Sequence, residues 1–378
     1  MARSVRGLEW IVAAEVKGRL GAKITANSHR EVHFHLPYLD PQLAALRTVD
    51  DVFLTCGEVE GLDHTRASLQ RLSEKIQNLD FAETLSVLGH FRTIQHPDRF
   101  DVVASFLGRR NYNRFEVEEV VGHVIHKKLG MVQQPSSQRS GADIAWRIHL
   151  QESKAYVGLR LMPFPLHRRS YRSGPYKGSL HPPVAASMAL LVGLYPDMVF
   201  LDPFSGSGTI GIEAFCIEDS LRVLVSDVNP SAMSLVCSTT SQADIRLHPW
   251  VGDAGRLPLA YRTVDRVASN IPWGRHVEKE GVLSLDPSLF WQEVCRVMHS
   301  ESRLVVLSEG SEPSAGQLQM YGLCPVLHCP IRLRGRPALI SVLTLGSHSY
   351  PTPIDEYGIL GRELQLEWET YSNSNQPL

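Results

Sequence analysis

Apolar and polar positions follow two different periods along the chain, and the change between them divides it. Over 7–20 the apolar side chains fall at 8, 11, 12, 16 and 20, one face of a helix, and 64–79 reads as a second helix. The stretches 31–36, 52–58, 101–107, 142–150 and 154–162 read as strands, and in 142–150 Ile144, Trp146 and Ile148 share one side. From 198 onward the signals take turns, with strands at 198–202, 221–227, 245–252, 264–269 and 303–308 and helices at 207–217, 230–241 and 287–298. That alternation predicts an α/β domain with a mainly parallel sheet. Two last apolar runs, 326–333 and 338–345, flank the turn Arg334-Gly-Arg-Pro337 and predict a terminal β-hairpin. No internal repeat is visible.

These patterns predict four segments: a mixed α+β region over 1–162, a linker over 163–183, an α/β domain over 184–350 and a tail over 351–378. Pro163-Phe-Pro165 is stiff, and 171–183 is rich in Gly, Pro, Ser and basic residues, as a linker would be. Pro182 and Pro183 then open a helix, 184–194, at positions where a missing N–H costs little. A length of 378 residues allows two or three domains with cores of their own.

Composition narrows the class only a little, since 43% apolar and 21% charged residues are ordinary for a globular protein. No run reaches the ~18 apolar residues of a membrane span. Glu9 and Glu15 interrupt the first apolar stretch, which is therefore no secretory signal. A cytoplasmic protein with no membrane partner is expected. The six cysteines make no C-x-x-C pair, and reduced thiols are expected. His33 and His35 alternate on one strand without a third ligand, so no metal site is expected. The net charge of −2 hides an asymmetry: residues 92–180 hold fifteen Lys and Arg against seven Asp and Glu, and 350–378 one Arg against five acids. A basic stretch attracts phosphate backbones without reading sequence. Within it Arg109, Arg110, Asn111 and Arg114 surround the ring of Tyr112, and Arg168, Arg169 and Arg172 follow later with His167 beside them. All six of these arginines and Asn111 are RNA-contact candidates.

Two strand ends carry the candidate chemistry. Asp202-Pro-Phe-Ser-Gly-Ser-Gly-Thr209 follows the run 198–201, and Asn270-Ile-Pro-Trp273 follows 264–269. In an α/β sheet both would face the crevice outside the carboxyl ends of the strands. Gly206 and Gly208 allow a sharp turn and close approach to a ligand. The Lys of a phosphate-binding P-loop is missing, because Ile210 follows Thr209. Gly206-Ser-Gly208-Thr-Ile-Gly211 does read G-x-G-x-x-G, with Asp227 about 20 residues on, so the turn by itself leaves NAD and S-adenosyl-L-methionine both open. Asp202 tilts the choice, since a carboxylate repels a pyrophosphate and suits a cationic amino or sulfonium group. Asp227, ending the next strand and followed by Val228 and Asn229, can take two ribose hydroxyls; Asp253, followed by Ala254, can accept an adenine amine.

The order of these motifs resembles the S-adenosyl-L-methionine-dependent methyltransferases with a Rossmann-like sheet, in the subgroup acting on amines of nucleic-acid bases. Upstream, 106–115, 157–161, Pro165-Leu-His-Arg-Arg-Ser-Tyr-Arg172 and Ser179-Leu-His-Pro-Pro-Val-Ala-Ala186 resemble the THUMP-containing RNA guanine-N2 methyltransferases, so the likeness runs over nearly the whole chain. It implies an α/β fold with a C-terminal Rossmann-like class I methyltransferase sheet and terminal β-hairpin. Before it would stand an α+β region containing a THUMP-like module that presents the RNA end to the catalytic domain. It also implies that Ser179, Leu180 and His181 lie near the cofactor, with Asp202, Pro203, Phe204, Gly206, Gly208, Thr209, Asp227, Val228, Asn229, Asp253, Ala254 and Asn270.

The chemistry so implied is N2-methylation of guanosine in tRNA by in-line transfer. Asn270 Oδ1 and the Ile271 carbonyl would accept the two amine hydrogens and aim the nitrogen lone pair at the methyl group. Pro272 would fix the turn and Trp273 stack on the base. The family pattern has two prolines and a Tyr or Phe here; Ile271 and Trp273 depart from it without removing a needed group. Ribosomal RNA or a DNA amine as substrate, and a catalytically silent RNA-binding protein, are the other readings. A monomer is expected, with or without a small activating protein. The tail around Trp368 is given no function.

Overall fold

A computed structural model describes residues 1–134, 143–172, 178–272, 281–308, 314–346 and 352–374. In chain order the elements are β1 (Ala2–Arg3), α1 (Glu9–Leu20), β2 (Lys23–Ser28), β3 (Glu31–His35), β4 (Asp51–Glu60), α2 (Ala67–Ile76), α3 (Phe81–Phe91), β5 (Arg99–Phe106) and α4 (Arg114–Leu129). Then follow β6 (Val132–Gln133), β7 (Ile144–Gln151), β8 (Lys154–Arg160), α5 (Pro182–Leu191), β9 (Val199–Asp202), α6 (Thr209–Ile217), β10 (Arg222–Asp227), α7 (Pro230–Gln242) and β11 (Leu247–Val251). The last are β12 (Val264–Asn270), α8 (Ser288–Val297), β13 (Met298–Ser308), α9 (Ala315–Met320), β14 (Leu323–Leu333), β15 (Arg336–Leu345) and α10 (Gly361–Asn373).

By their contacts these residues form two compact units. The first is Met1–Arg3, Pro37–Ala45 and Asp51–Leu166; the second is Ser4–Leu36, Leu46–Asp50 and His167–Leu378. The expected first region thus gives up residues 4–36 and 46–50 to the second unit.

In the first unit β1, β4, β8, β7, β5 and β6 lie side by side in that order. In β7 Ile144, Trp146 and Ile148 are buried, with Trp146 edge-on to Phe81 at 5.0 Å, but Ala145 and His149 on the other side are buried as well, so both faces of the strand are covered. Helix α4, which the pattern missed, starts at an Asn113 capping box closed by Glu116 and ends at Gly130 in the left-handed conformation.

The second unit holds a doubly wound sheet in the order β11-β10-β9-β12-β13-β15-β14. The strands from β11 to β13 are parallel, and β15 runs antiparallel to both β13 and β14, the expected terminal hairpin. Alternate residues feed two cores. Phe200, Val223, Val225, Ala268 and Val305 pack with α1, α5, α6 and α7. On the other face Leu201, Leu224, Val267, Leu304 and Val306 pack with α8. The tail is structured: in α10, Trp368 and Tyr371 pack on Trp10 of α1, with ring centroids 5.2 and 6.3 Å apart. No described helix is long and apolar enough to cross a membrane.

Candidate active site at the carboxyl edge of the sheet

Chain order reverses between β9 and β12, since β10 and β11 extend the sheet on one side of β9 and β12 pairs on the other. A crevice for ligands forms at such a switch point. Asp202 ends β9 and Asn270 ends β12, so two motifs far apart in the chain come to the same edge here.

Asp202 is wholly buried. Its Oδ1 accepts the Ser269 hydroxyl at 2.6 Å and the Phe204 N–H at 3.3 Å. Burial pushes its pKa up to about 7, the nearby Asp227 adding to the rise and the two hydrogen bonds opposing it. After Asp202 the turn runs through Gly206 (φ 52°) and Gly208 (φ 76°), and α6 begins at Gly208 without a side-chain cap. At Gly208 an added Cβ would stand 3.0 Å from Val236 Cγ2, so both backbone angle and space call for glycine.

Asp227 is half-buried, and its oxygens accept the N–H groups of Gly206 and Asn229, each at 2.9 Å. This ties the glycine turn to the end of β10. Helix capping falls to Asn229, which accepts the Ser231 N–H; Asp202 and Asp227 therefore do not serve as helix caps. Val228 beside them is 38% exposed. Asp253, beyond β11, accepts the N–H groups of Gly255 and Val282, each at 2.8 Å, with Ala254 buried next to it.

A second cluster closes the start of α6. Arg172 Nη2 donates to Ser179 Oγ and the Leu180 carbonyl, both at 2.5 Å, and to Thr209 Oγ1 at 3.2 Å. Ser207 Oγ lies 2.8 Å from Ser179 Oγ and 3.1 Å from Thr209 Oγ1. An uncapped helix start beside a guanidinium suits a carboxylate. His181 Nε2 meets Asp50 Oδ1 at 2.5 Å; burial pushes the Asp50 carboxyl up, but His181, Arg30 and His167 together hold it below its ordinary value.

Among the described residues, four buried polar atoms at this edge find no hydrogen-bond partner: Asp202 Oδ2, Ser205 Oγ, Ser226 Oγ and Trp250 Nε1. They sit on the ends of β9, β10 and β11 and in the turn after β9. A buried polar group without a partner costs about 1–3 kcal/mol. Their grouping, with the glycine turn, fits a polar ligand bearing a cationic group.

Asn270 is half-buried, Ile271 is buried and Pro272 is half-buried, while Trp273 lies outside the described residues. The RNA-contact candidates divide. Arg109, Asn111, Arg114 and Arg168 are exposed, and Arg114 lies over the Phe115 ring at 4.7 Å. Tyr112 is buried, its hydroxyl accepting from Arg110 Nη1 at 2.9 Å, so its ring is turned inward. Arg110 spends its guanidinium on that hydroxyl and on the carbonyls of Asp63 and Glu152.

Arg169 is a correction. Its side chain is 8% exposed and donates to the buried Glu213 of α6 at 2.9 Å, alongside Arg47 at 2.6 Å and the Tyr171 hydroxyl at 2.8 Å. Burial and the Glu213 charge push the Tyr171 phenol well up. Arg169, Tyr171 and Arg172 thus fix residues 169–172 within the second unit rather than leaving them as a free linker. The chain had signals for these partners: Glu213 is the one charged residue in α6, and Ser226 and Ser269 interrupt apolar strands.

Comparison with known proteins agrees with this architecture. Residues 169–315 match the family described as RMKL-like, methyltransferase domain. A tRNA (guanine(6)-N2)-methyltransferase of Thermus thermophilus is 30% identical over 192 residues, 49% of this chain and 55% of the relative. The U6 snRNA (guanine-N(2))-methyltransferase THUMPD2 of Bos taurus is 27% identical, over 55% of this chain and 41% of its own length. The chain thus spans about half the length of these curated relatives. Among solved structures, TrmN from Thermus thermophilus superposes with a TM-score of 0.72 at 22% identity, covering 91% of this chain and 98% of that one. Over residues 169–315, therefore, the chain is similar to the RMKL-like methyltransferase domain.

Proposed function

We propose that the protein is an S-adenosyl-L-methionine-dependent RNA methyltransferase that forms N2-methylguanosine in tRNA. The observation that carries the reading is the convergence of Asp202, Asp227, Asp253 and Asn270 on one sheet edge, among buried polar atoms that need a ligand for partners. Asp227 takes the ribose hydroxyls, held in place by the Gly206 and Asn229 N–H groups. Asp253 accepts the adenine amine. Asp202 faces the cationic end, and the cluster of Arg172, Ser179 and Thr209 at the uncapped start of α6 receives the carboxylate.

When bound, the cofactor supplies both the activated methyl and its own leaving group. The chain's part is to orient and to exclude water. Asn270 Oδ1 and the Ile271 carbonyl accept the two N–H hydrogens of the guanine amine, which draws the nitrogen toward tetrahedral geometry. Pro272 limits the turn and Trp273 stacks on the base. In the first unit, a THUMP-like RNA-docking module in this reading, Arg109, Asn111 and Arg114 offer exposed groups to phosphates. The working form is a cytoplasmic monomer.

The likeness to a tRNA methyltransferase of Thermus favours tRNA, and that to a U6 snRNA methyltransferase of Bos taurus makes the same chemistry on another RNA the second reading. Calorimetric titration with S-adenosyl-L-methionine tests the cofactor assignment. Micromolar binding that disappears in Asp227→Ala is expected; no binding to the wild-type chain would remove the reading.

A further inference from the structure

The hairpin at the far side of the sheet carries charge that the reading above does not use. Between residues 313 and 354 the chain has no Asp or Glu, yet Arg332, Arg334 and Arg336 fall within five positions. All three are exposed. They bracket a two-residue turn, Arg334 at φ 50° and Gly335 at φ 83°, with Leu333 paired to Arg336 across it.

Register fixes where this turn points. Ser308, the last residue of β13, stands opposite Leu339 of β15, and Leu307 stands beside Asn270 of β12. From Leu339 the hairpin runs on past the end of β13 for three more residues to Arg336, roughly 10 Å at the rise of a strand. It therefore overhangs the same carboxyl edge on which Asn270 and Asp202 stand. Arg334 comes near enough to Arg172, at the Ser179 turn, for its charge to oppose that guanidinium. Three exposed cations on a two-residue turn that overhangs this edge make a phosphate grip beside the site.

We propose that the Arg332–Arg336 turn is a phosphate clamp within the second unit, gripping the RNA backbone next to the target base. The clamp rests on the RNA-methyltransferase reading and adds a contact set distinct from the basic stretch of the first unit. It acts on RNA binding and leaves cofactor binding alone. Each phosphate contact releases about 0.7 counterion for single-stranded nucleic acid, which at about 0.15 M salt is worth roughly a factor of four. Three contacts together come to about fiftyfold.

The test uses the full-length protein, a fluorescent unmodified tRNA transcript and S-adenosylhomocysteine. In the triple variant Arg332→Gln, Arg334→Gln, Arg336→Gln, tRNA affinity at 0.15 M salt should fall about fiftyfold and the slope of log affinity against log salt should flatten by about two. Affinity for S-adenosylhomocysteine should stay unchanged, which also reports an intact fold; the single Arg334→Gln replaces any triple variant that fails this check, with a fourfold loss expected. The triple Arg→Lys variant should keep the wild-type slope. Unchanged tRNA affinity and slope in the Gln variant overturn the clamp while the methyltransferase reading stands. A wild-type chain that binds S-adenosylhomocysteine but no RNA overturns both.

Discussion

Replacing Asp202 by asparagine separates ligand binding from stability, which the natural residue sets against each other. Burial, with Asp227 adding to it, pushes the Asp202 carboxyl from an ordinary 3.8 up to about 7, against the pull of Ser269 and the Phe204 N–H. An acid whose folded-state pKa lies above its unfolded value stabilises the fold fully only below the unfolded pKa. Between about pH 4 and pH 7 the folded state keeps a proton that the unfolded state has released, so stability falls as pH rises through that window. A rise of roughly three units corresponds to about 4 kcal/mol lost by pH 8. Asparagine cannot ionise, and its Oδ1 still accepts from Ser269. Its buried amide without a partner costs about 1–3 kcal/mol, leaving a net gain of about 1–3 kcal/mol over the natural protein at pH 8. At pH 5 that gain should vanish or reverse. Calorimetric unfolding of both proteins without ligand, at pH 5 and pH 8, reads this directly, and titration with S-adenosyl-L-methionine should show that the more stable variant has lost its affinity. Parallel loss of stability in the two proteins from pH 5 to pH 8 would refute the reasoning.

Three other substitutions probe separate parts of the site. Asn270→Ala should leave cofactor affinity nearly intact and cut single-turnover methylation by about 100-fold, the scale for losing one preorganised hydrogen-bond group; an unchanged rate removes Asn270 from the chemistry. Gly281→Ala would put a Cβ 1.9 Å from Asp253 Oδ2 at a residue with φ +66°, so it should displace Asp253 and weaken adenosine binding at least tenfold by equilibrium dialysis, an effect that Gly335→Ala, whose Cβ meets nothing within 4 Å, should not share. Arg169→Ala leaves the buried Glu213 with fewer cations and should destabilise the protein by about 2–4 kcal/mol in urea titration, while the salt slope of RNA binding stays as it was. A change in slope with unchanged stability would return Arg169 to the RNA-contact set.

Much of the second unit was legible because its strands are short, apolar and ended by punctuation. Asp202 and Asn270 end their strands where the apolar runs stop, and the Arg334-Gly turn marks the hairpin by itself. What escaped depends on partners distant in the chain. The Ser269 to Asp202 bond spans 67 positions and the Arg169 to Glu213 pair 44, so neither shows in any local window. Arg169 looked like its neighbour Arg168 in sequence, yet one is buried and the other exposed. Helix α4 was missed because Val117, Glu118, Val121, Gly122, Val124 and Ile125 are all buried, which blurs a one-faced periodicity. The N-terminal helix was read correctly as a helix, but its packing on α10 is a contact between the two ends of the chain that no composition or spacing announces.

The central claim is that this sheet edge joins a methyl donor to a guanine amine in RNA. Incubation of the purified chain with total RNA and radiolabelled S-adenosyl-L-methionine, followed by nucleoside analysis, tests it most directly. The account predicts label in N2-methylguanosine from the tRNA fraction, absent with Asn270→Ala; label confined to another nucleoside, or no transfer by a chain that binds the cofactor, would contradict it.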